Sequence, residues 1–484
     1  MAVAVAASPD VRRSPVVLPS HDDPVVRGAT HAIGGPMGRR AVTRRAWWSP
    51  VRIVVLLAVL ASALGAAIDT PCVGKSWSDG FEQFSRGCYS DMVHLYWGRG
   101  IAEGLVPYVD DPTQTGDVEV EYPVLTGVVI YLTALPVSDG WSDANRARAY
   151  FAVNAVLIAL LLALTVWATA LTVRRRPWDA AMVALAPGMI LASTINWDLW
   201  AVAATALALL AWARRYPVLA GLLLGLGASF KFYPVLILGP LLILCLRAGR
   251  MRHWALAAAA ALVTWLVANV PFMLTRFEGW KNFYVFSSDR GADYGSVWLV
   301  ARDALGFNPA VESLNLLAAG VLALLCLGIA ALILLAPRRP RLHQVAFLVV
   351  AAFAVTNKVY SPQFVVWLIP LAVLARPRWR DFLWWQAAEV VYFFAVWWYI
   401  IWAATPETGL PEKYYWAAVL LHVVATVAFA GFVVRDVLRP ECDPVRSSLG
   451  EDDPGGGVLD EAPDQFAPLR NMRSSKIGRI PSAV

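Results

Sequence analysis

Charge is what this sequence has least of. Asp, Glu, Lys and Arg together make up 16% of its 484 residues, while hydrophobic residues make up 58%; an ordinary soluble domain carries about 25% charge and about 45–50% apolar residues. Such a chain cannot hide its apolar surface in a water-soluble globule, which excludes a soluble enzyme held by one anchor. Strict apolar/polar alternation is also missing, and with it a β-barrel. No repeat of fixed period occurs, so a solenoid is excluded too. There is no glycine-rich phosphate loop and no His/Cys set with metal-ligand spacing. Cysteine is sparse, with five residues. Cys245 and Cys326 sit in apolar runs as small hydrophobes.

What the chain has instead is continuous apolar sequence. Runs of spanning or near-spanning length occupy 50–68, 122–138, 149–172, 179–195, 197–213, 217–230, 234–248, 254–273, 313–336, 343–357, 363–376, 383–403 and 414–435. They predict an all-α polytopic membrane protein, a bundle of about 11–13 transmembrane helices. The formal charge of +6 is no nucleic-acid footprint, because the basic residues cluster beside these runs. Arg39, Arg40, Arg44 and Arg45 precede the first run, and further clusters lie at 174–176, 214–215, 247–252, 338–341 and 376–380. The positive-inside rule puts all of them in the cytoplasm. They agree with one another only if 122–172 makes an odd number of crossings, so either one of its two runs is re-entrant or the cluster at 174–176 breaks the rule.

Residues 1–49 and 436–484 then read as disordered cytoplasmic tails flanking a membrane domain at 50–435. The loop 69–121 is acidic and falls outside. Within it, Asp91 to Glu103 predicts an amphipathic helix on the membrane surface. Cys72 and Cys88 share this loop. On an oxidising side a disulfide between them would close about 15 residues; two free thiols are the alternative.

An ionisable residue at membrane depth is costly and marks function by default. Asp198 lies between two apolar runs in Asn196-Trp-Asp, and Lys231 and Lys358 each precede a tyrosine and a helix-breaking proline, in Lys231-Phe-Tyr233-Pro and Lys358-Val-Tyr-Ser-Pro. Broken helices with a cation nearby suit an anionic group; a snorkelling lysine is the alternative. Asp91 opens the strongest string, residues 89–111 with Tyr96, Gly104, Pro107 and Tyr108. A carboxylate beside a hydrophobic slot can act as general base on a hydroxyl; a helix N-cap is the other reading. Asp110 and Asp111 could hold a divalent cation with Asp91, though no cofactor is expected.

This string, followed by Glu121-Tyr-Pro-Val-Leu-Thr-Gly, resembles the first outer loop and following helix of glycosyltransferase family 87. The break after Gly225 at Lys231-Phe-Tyr-Pro and the turn Ser361-Pro-Gln363 are also similar to that family. The resemblance implies a GT-C-like membrane enzyme that takes a sugar from a polyprenyl-phosphate donor on the outer face of the cell membrane, with inversion. It places Asp91 at the catalytic aspartate and Lys231 near the donor phosphate, with Tyr233, Lys358 and Arg290 as further phosphate candidates. Asn196, Asp198, Tyr96, Glu121 and Gln363 are candidates to position sugar or acceptor. The acceptor is expected to be a lipid or glycan hydroxyl, and mannose is the sugar the resemblance favours, arabinose the alternative. A transporter or lipid flippase with charges at discontinuous helices is the rival class.

Overall fold

A computed structural model describes residues 16–34, 48–78, 80–114 and 116–466. Among them all regular structure is helical. Six helices are long and apolar enough to cross a membrane: Pro50–Lys75, Asp143–Thr172, Met251–Thr275, Val311–Leu335, Trp379–Ala404 and Glu412–Leu438. Five shorter apolar helices, Asp198–Ala213, Pro217–Phe230, Tyr233–Ala248, Leu342–Thr356 and Pro362–Ala375, run between the same two ends. With the broken pair Ala180–Ala184 and Pro187–Ala192, these helices make up the apolar bundle among the described residues. It is a polytopic helical membrane protein.

The ends of the passes are fixed by contacts. The Arg214 guanidinium donates to the Leu171 carbonyl (2.8 Å), joining two helix C-termini. Arg341 donates to the carbonyls of Leu374 and Ala375, and Arg376 pairs with Asp381 and Asp436. These contacts gather the basic clusters of the described residues at one end of the bundle. At the opposite end lie the acidic loop and the breaks at Asn196, Lys231 and Lys358, tied together by Asp91 N–H to Ile195 O (2.8 Å) and Asp293 N–H to Lys358 O (2.9 Å).

The ambiguity at 122–172 has a short answer. The run 122–138 forms only the nine-residue helix Val124–Leu132, about 13 Å long at 1.5 Å per residue, too short for a hydrocarbon core of about 30 Å. It enters and leaves at the polar end, and Asp143–Thr172 alone makes the crossing. The first helix runs on to Lys75, so Asp69 lies inside it and is buried, where composition had placed the start of the loop. Pro50, Pro187 and Pro217 open their helices at positions where the missing N–H costs nothing.

Close packing of the shorter helices depends on small residues. A Cβ added at Gly221 would lie 2.0 Å from the Ala257 carbonyl oxygen, and one at Gly225 would lie 2.3 Å from that of Ala261. Glycine four residues apart lets Pro217–Phe230 press its backbone onto Met251–Thr275, the small-xxx-small contact of membrane helices.

Two expectations about loops and tails differ from the structure. The helix in the first loop spans Asp91–Gly98, not Asp91 to Glu103, and Met92, Val93, Leu95 and Tyr96 are buried against the protein rather than laid on a membrane. The reason is aromatic packing: Tyr96 stacks on Tyr150 with centroids 4.4 Å apart. The segment 436–466 is folded, with Asp443 paired to Arg341 (2.7 Å), Asp452 to Arg339 (2.9 Å) and Asp464 to Arg247 (2.6 Å). Its acids find the arginines of the basic end. The Pro-Gly-Gly-Gly stretch, part of the tail that reads as disordered, makes a tight approach, since a Cβ at Gly457 would fall 1.9 Å from the Trp212 carbonyl oxygen. Residues 16–34 also pack here, through Asp22 to Arg176 (2.7 Å). The tail portions 1–15, 35–47 and 467–484, including Arg39, Arg40, Arg44 and Arg45, lie outside the described residues.

Candidate active site

A cavity of about 700 Å³ lies at the polar end. Asp91, Glu121 and Tyr122 form part of one wall, Lys231, Tyr233 and Trp367 another, and Asn357, Lys358 and Gln363 a third. The helix Phe277–Asp289 covers it, contributing Phe283, Tyr284, Phe286 and Ser287, with Arg290 just beyond. The walls therefore combine a carboxylate, cations and a broad aromatic surface, and Phe232, Tyr284 and Phe286 are exposed at the protein surface, so an apolar chain could continue outward from the cavity.

Asp91 is presented by local structure. Ser90, not Asp91, caps the helix: its hydroxyl accepts from Met92 N–H (3.3 Å) and donates to the Thr194 carbonyl (2.7 Å). The Asp91 side chain is thus released from capping. Its Oδ1 accepts from the Tyr89 phenol (2.8 Å) and its Oδ2 from the Tyr122 phenol (3.0 Å). Burial pushes the carboxyl above the usual carboxylate range, while the two phenols and the Lys231 ammonium pull it back and Glu121 adds to the rise. Glu121 in turn is held by Arg99 through both oxygens (2.7 and 2.8 Å).

Lys231 and Asp198 meet across the helix break, Nζ to Oδ1 2.8 Å. The other Asp198 oxygen accepts from Trp367 Nε1 (2.8 Å), so this buried carboxylate is spent on the lysine and the indole. Asp198, a candidate to position sugar or acceptor, is thus paired with a cation. The ammonium also sits over the Tyr122 ring, 4.6 Å from its centroid. Asn196 donates to the Tyr122 phenol (3.4 Å) and accepts from Asp198 N–H (3.0 Å), which makes it a buried support behind the wall. Tyr233 stacks on Trp367 at 4.9 Å.

Two candidates have other occupations. Lys358 looks like Lys231 in sequence, but its Nζ donates to the carbonyls of Ser287 (3.0 Å), Ser288 (3.1 Å) and Arg290. With all three donors used, it fastens the end of the covering helix rather than offering charge to a phosphate. Tyr96 is buried away from the cavity, and its hydroxyl accepts from Arg146 (3.2 Å). Arg290 remains at the cavity, leaning on Asp293 (2.6 Å). Asp110 accepts from Val106 N–H, and Asp111 from Thr113; neither lines the cavity. Cys72 and Cys88 are disulfide-bonded, which ties the first helix to the segment leading into Tyr89.

Sequence reasoning did not single out Tyr89, Tyr122, Arg99 or Trp367. Tyr122 stands in the Glu-Tyr-Pro string and Tyr89 two residues before Asp91, yet tyrosines at a membrane edge ordinarily read as interfacial anchors.

Fold and site together define a polytopic helical membrane protein that builds a polar, aromatic-walled cavity at the end of its bundle opposite the arginine clusters. Residues 120–357 match the family model of glycosyltransferase family 87. Over that stretch, just under half of the chain, the protein is similar to this family, a likeness that together with the helical membrane fold supports a membrane glycosyltransferase. No curated protein matches the sequence. The matched stretch contains Tyr122, Asp198, Lys231 and Arg290; Asp91 precedes it, so its part in the site rests on geometry and on the motif resemblance.

Proposed function

We propose that this protein transfers one sugar, mannose in our reading, from a polyprenyl monophosphate donor to a hydroxyl of a lipid or glycan, with inversion, at the outer face of the cell membrane. The observation that carries the reading is a carboxylate, Asp91, facing the same cavity as Lys231 and Arg290. The acceptor oxygen attacks the anomeric carbon as the bond from that carbon to the phosphate oxygen breaks. The bond's electron pair leaves on the phosphate, and the hydroxyl proton passes to the Asp91 carboxylate. A polyprenyl phosphate departs as an anion, so it needs cations and hydrogen-bond donors rather than an acid. Lys231 and Arg290 supply that support, and the aromatic surface beside Phe232 and Phe286 suits the prenyl chain. The basic end faces the cytoplasm by the positive-inside rule, which puts both termini inside and the cavity outside. No cofactor takes part in this scheme.

The donor class is tested with purified protein in nanodiscs given either polyprenyl-phosphate mannose or a nucleotide-linked mannose, with membrane lipid extract as acceptor. The proposal expects transfer from the lipid-linked sugar only. Transfer from the nucleotide sugar by the purified chain contradicts it.

A further inference from the structure

We infer that Tyr89 and Tyr122 are positioning residues for Asp91, two phenols that hold its carboxylate in one orientation and in its ionised form, while Arg99 draws off the charge of the adjacent Glu121. The two phenols grip opposite oxygens of the carboxylate, and they come from positions 31 residues apart on the side of Tyr122 and two residues apart on the side of Tyr89. Each carboxylate oxygen has two lone pairs, so one on each stays open toward the cavity. A single capping bond would leave the group free to rotate; two do not.

Both phenols are themselves fixed. The Tyr89 ring lies against Trp397, His94 and Phe84, with centroids at 4.8, 5.2 and 5.3 Å. Tyr122 accepts from Asn196 and lies under the Lys231 ammonium. Its hydroxyl proton therefore points at Asp91, because its acceptor side is taken. The charged and titratable groups around Asp91 are Tyr89, His94 and Arg99 from its own segment, Glu121 and Tyr122 from the next, and Lys231 with Asp198 from the break. Asp198 is neutralised by Lys231 and Glu121 by Arg99, which leaves the phenols as the direct hydrogen-bond partners of the carboxylate.

The clasp rests on the transferase reading only for what the carboxylate does, and the test separates the two. Dicyclohexylcarbodiimide modifies protonated carboxyls in apolar surroundings, so labelling of the Asp91 peptide in the full chain, followed by mass spectrometry across pH, reads its titration directly. Phenylalanine keeps the rings and their stacking. Tyr89→Phe and Tyr122→Phe are each expected to raise the half-labelling pH by about one unit, the scale of one hydrogen bond to a charged group, whereas Glu121→Gln lowers it. A merely structural role would not give opposite signs. An unchanged half-labelling pH in both tyrosine variants overturns the inference; if Tyr122→Phe does not fold, Tyr89→Phe and Glu121→Gln decide. An acid limb of sugar transfer that moves with the labelling supports clasp and base together. Labelling that moves while the transfer profile stays put keeps the clasp and counts against the base.

Discussion

Lys231 and Lys358 occupy near-identical sequence settings and do different things. Lys231 meets Asp198 and the cavity; Lys358 caps the carbonyls of a helix about 70 residues upstream. Sequence can mark both as costly charges at membrane depth, but the partner that decides each role arrives through tertiary contact. Asp91 was legible from the string it opens and from that string's resemblance, while its phenols were not, since aromatic residues abound throughout this chain. The Lys231–Asp198 pair makes a stability prediction. Asp198 is buried, so Lys231→Met strands its charge and should cost about 3 kcal/mol. Adding Asp198→Asn should restore part of that loss. Thermal unfolding in detergent checks it, and a double variant less stable than Lys231→Met alone speaks against the pair as drawn.

Elements were legible where apolar runs are long and uninterrupted, and less so where they break. The six long helices coincide with runs read from composition. The run 122–138 and the run 179–195 instead hold the short helices Val124–Leu132, Ala180–Ala184 and Pro187–Ala192; the first ends in a turn that contains Pro136 and the second breaks at Pro187, and hydropathy does not report such breaks. At the polar end the first loop is anchored by Cys72–Cys88, sixteen residues apart. Closing a loop of that size is worth about 3 kcal/mol. Cys72→Ser with Cys88→Ser should lower the unfolding midpoint, and reductant should lower that of the wild type to match. A midpoint insensitive to both would show that the stacking of Tyr96 on Tyr150 and the contact of Trp77 with Phe151, ring centroids 4.6 Å apart, hold the loop without the bridge.

Taken as a whole, the molecule separates its charges by end. The arginine clusters gather at one end, where folded tail acids neutralise several of them; the other end holds carboxylates, phenols and the cations Lys231 and Arg290 around a cavity of about 700 Å³. The scarcity of charge in the sequence made this polarity readable, since few residues had to be placed. The folded tail was not readable, because acidic and glycine-rich stretches look alike whether solvated or pressed onto arginines. The central claim is that sugar transfer in this cavity uses Asp91 as its base, and purified Asp91→Asn in nanodiscs, supplied with polyprenyl-phosphate mannose, tests it most directly. The account predicts a loss of at least about a hundredfold in transfer with an unfolding profile like that of the wild type. Wild-type transfer by the folded variant would contradict it.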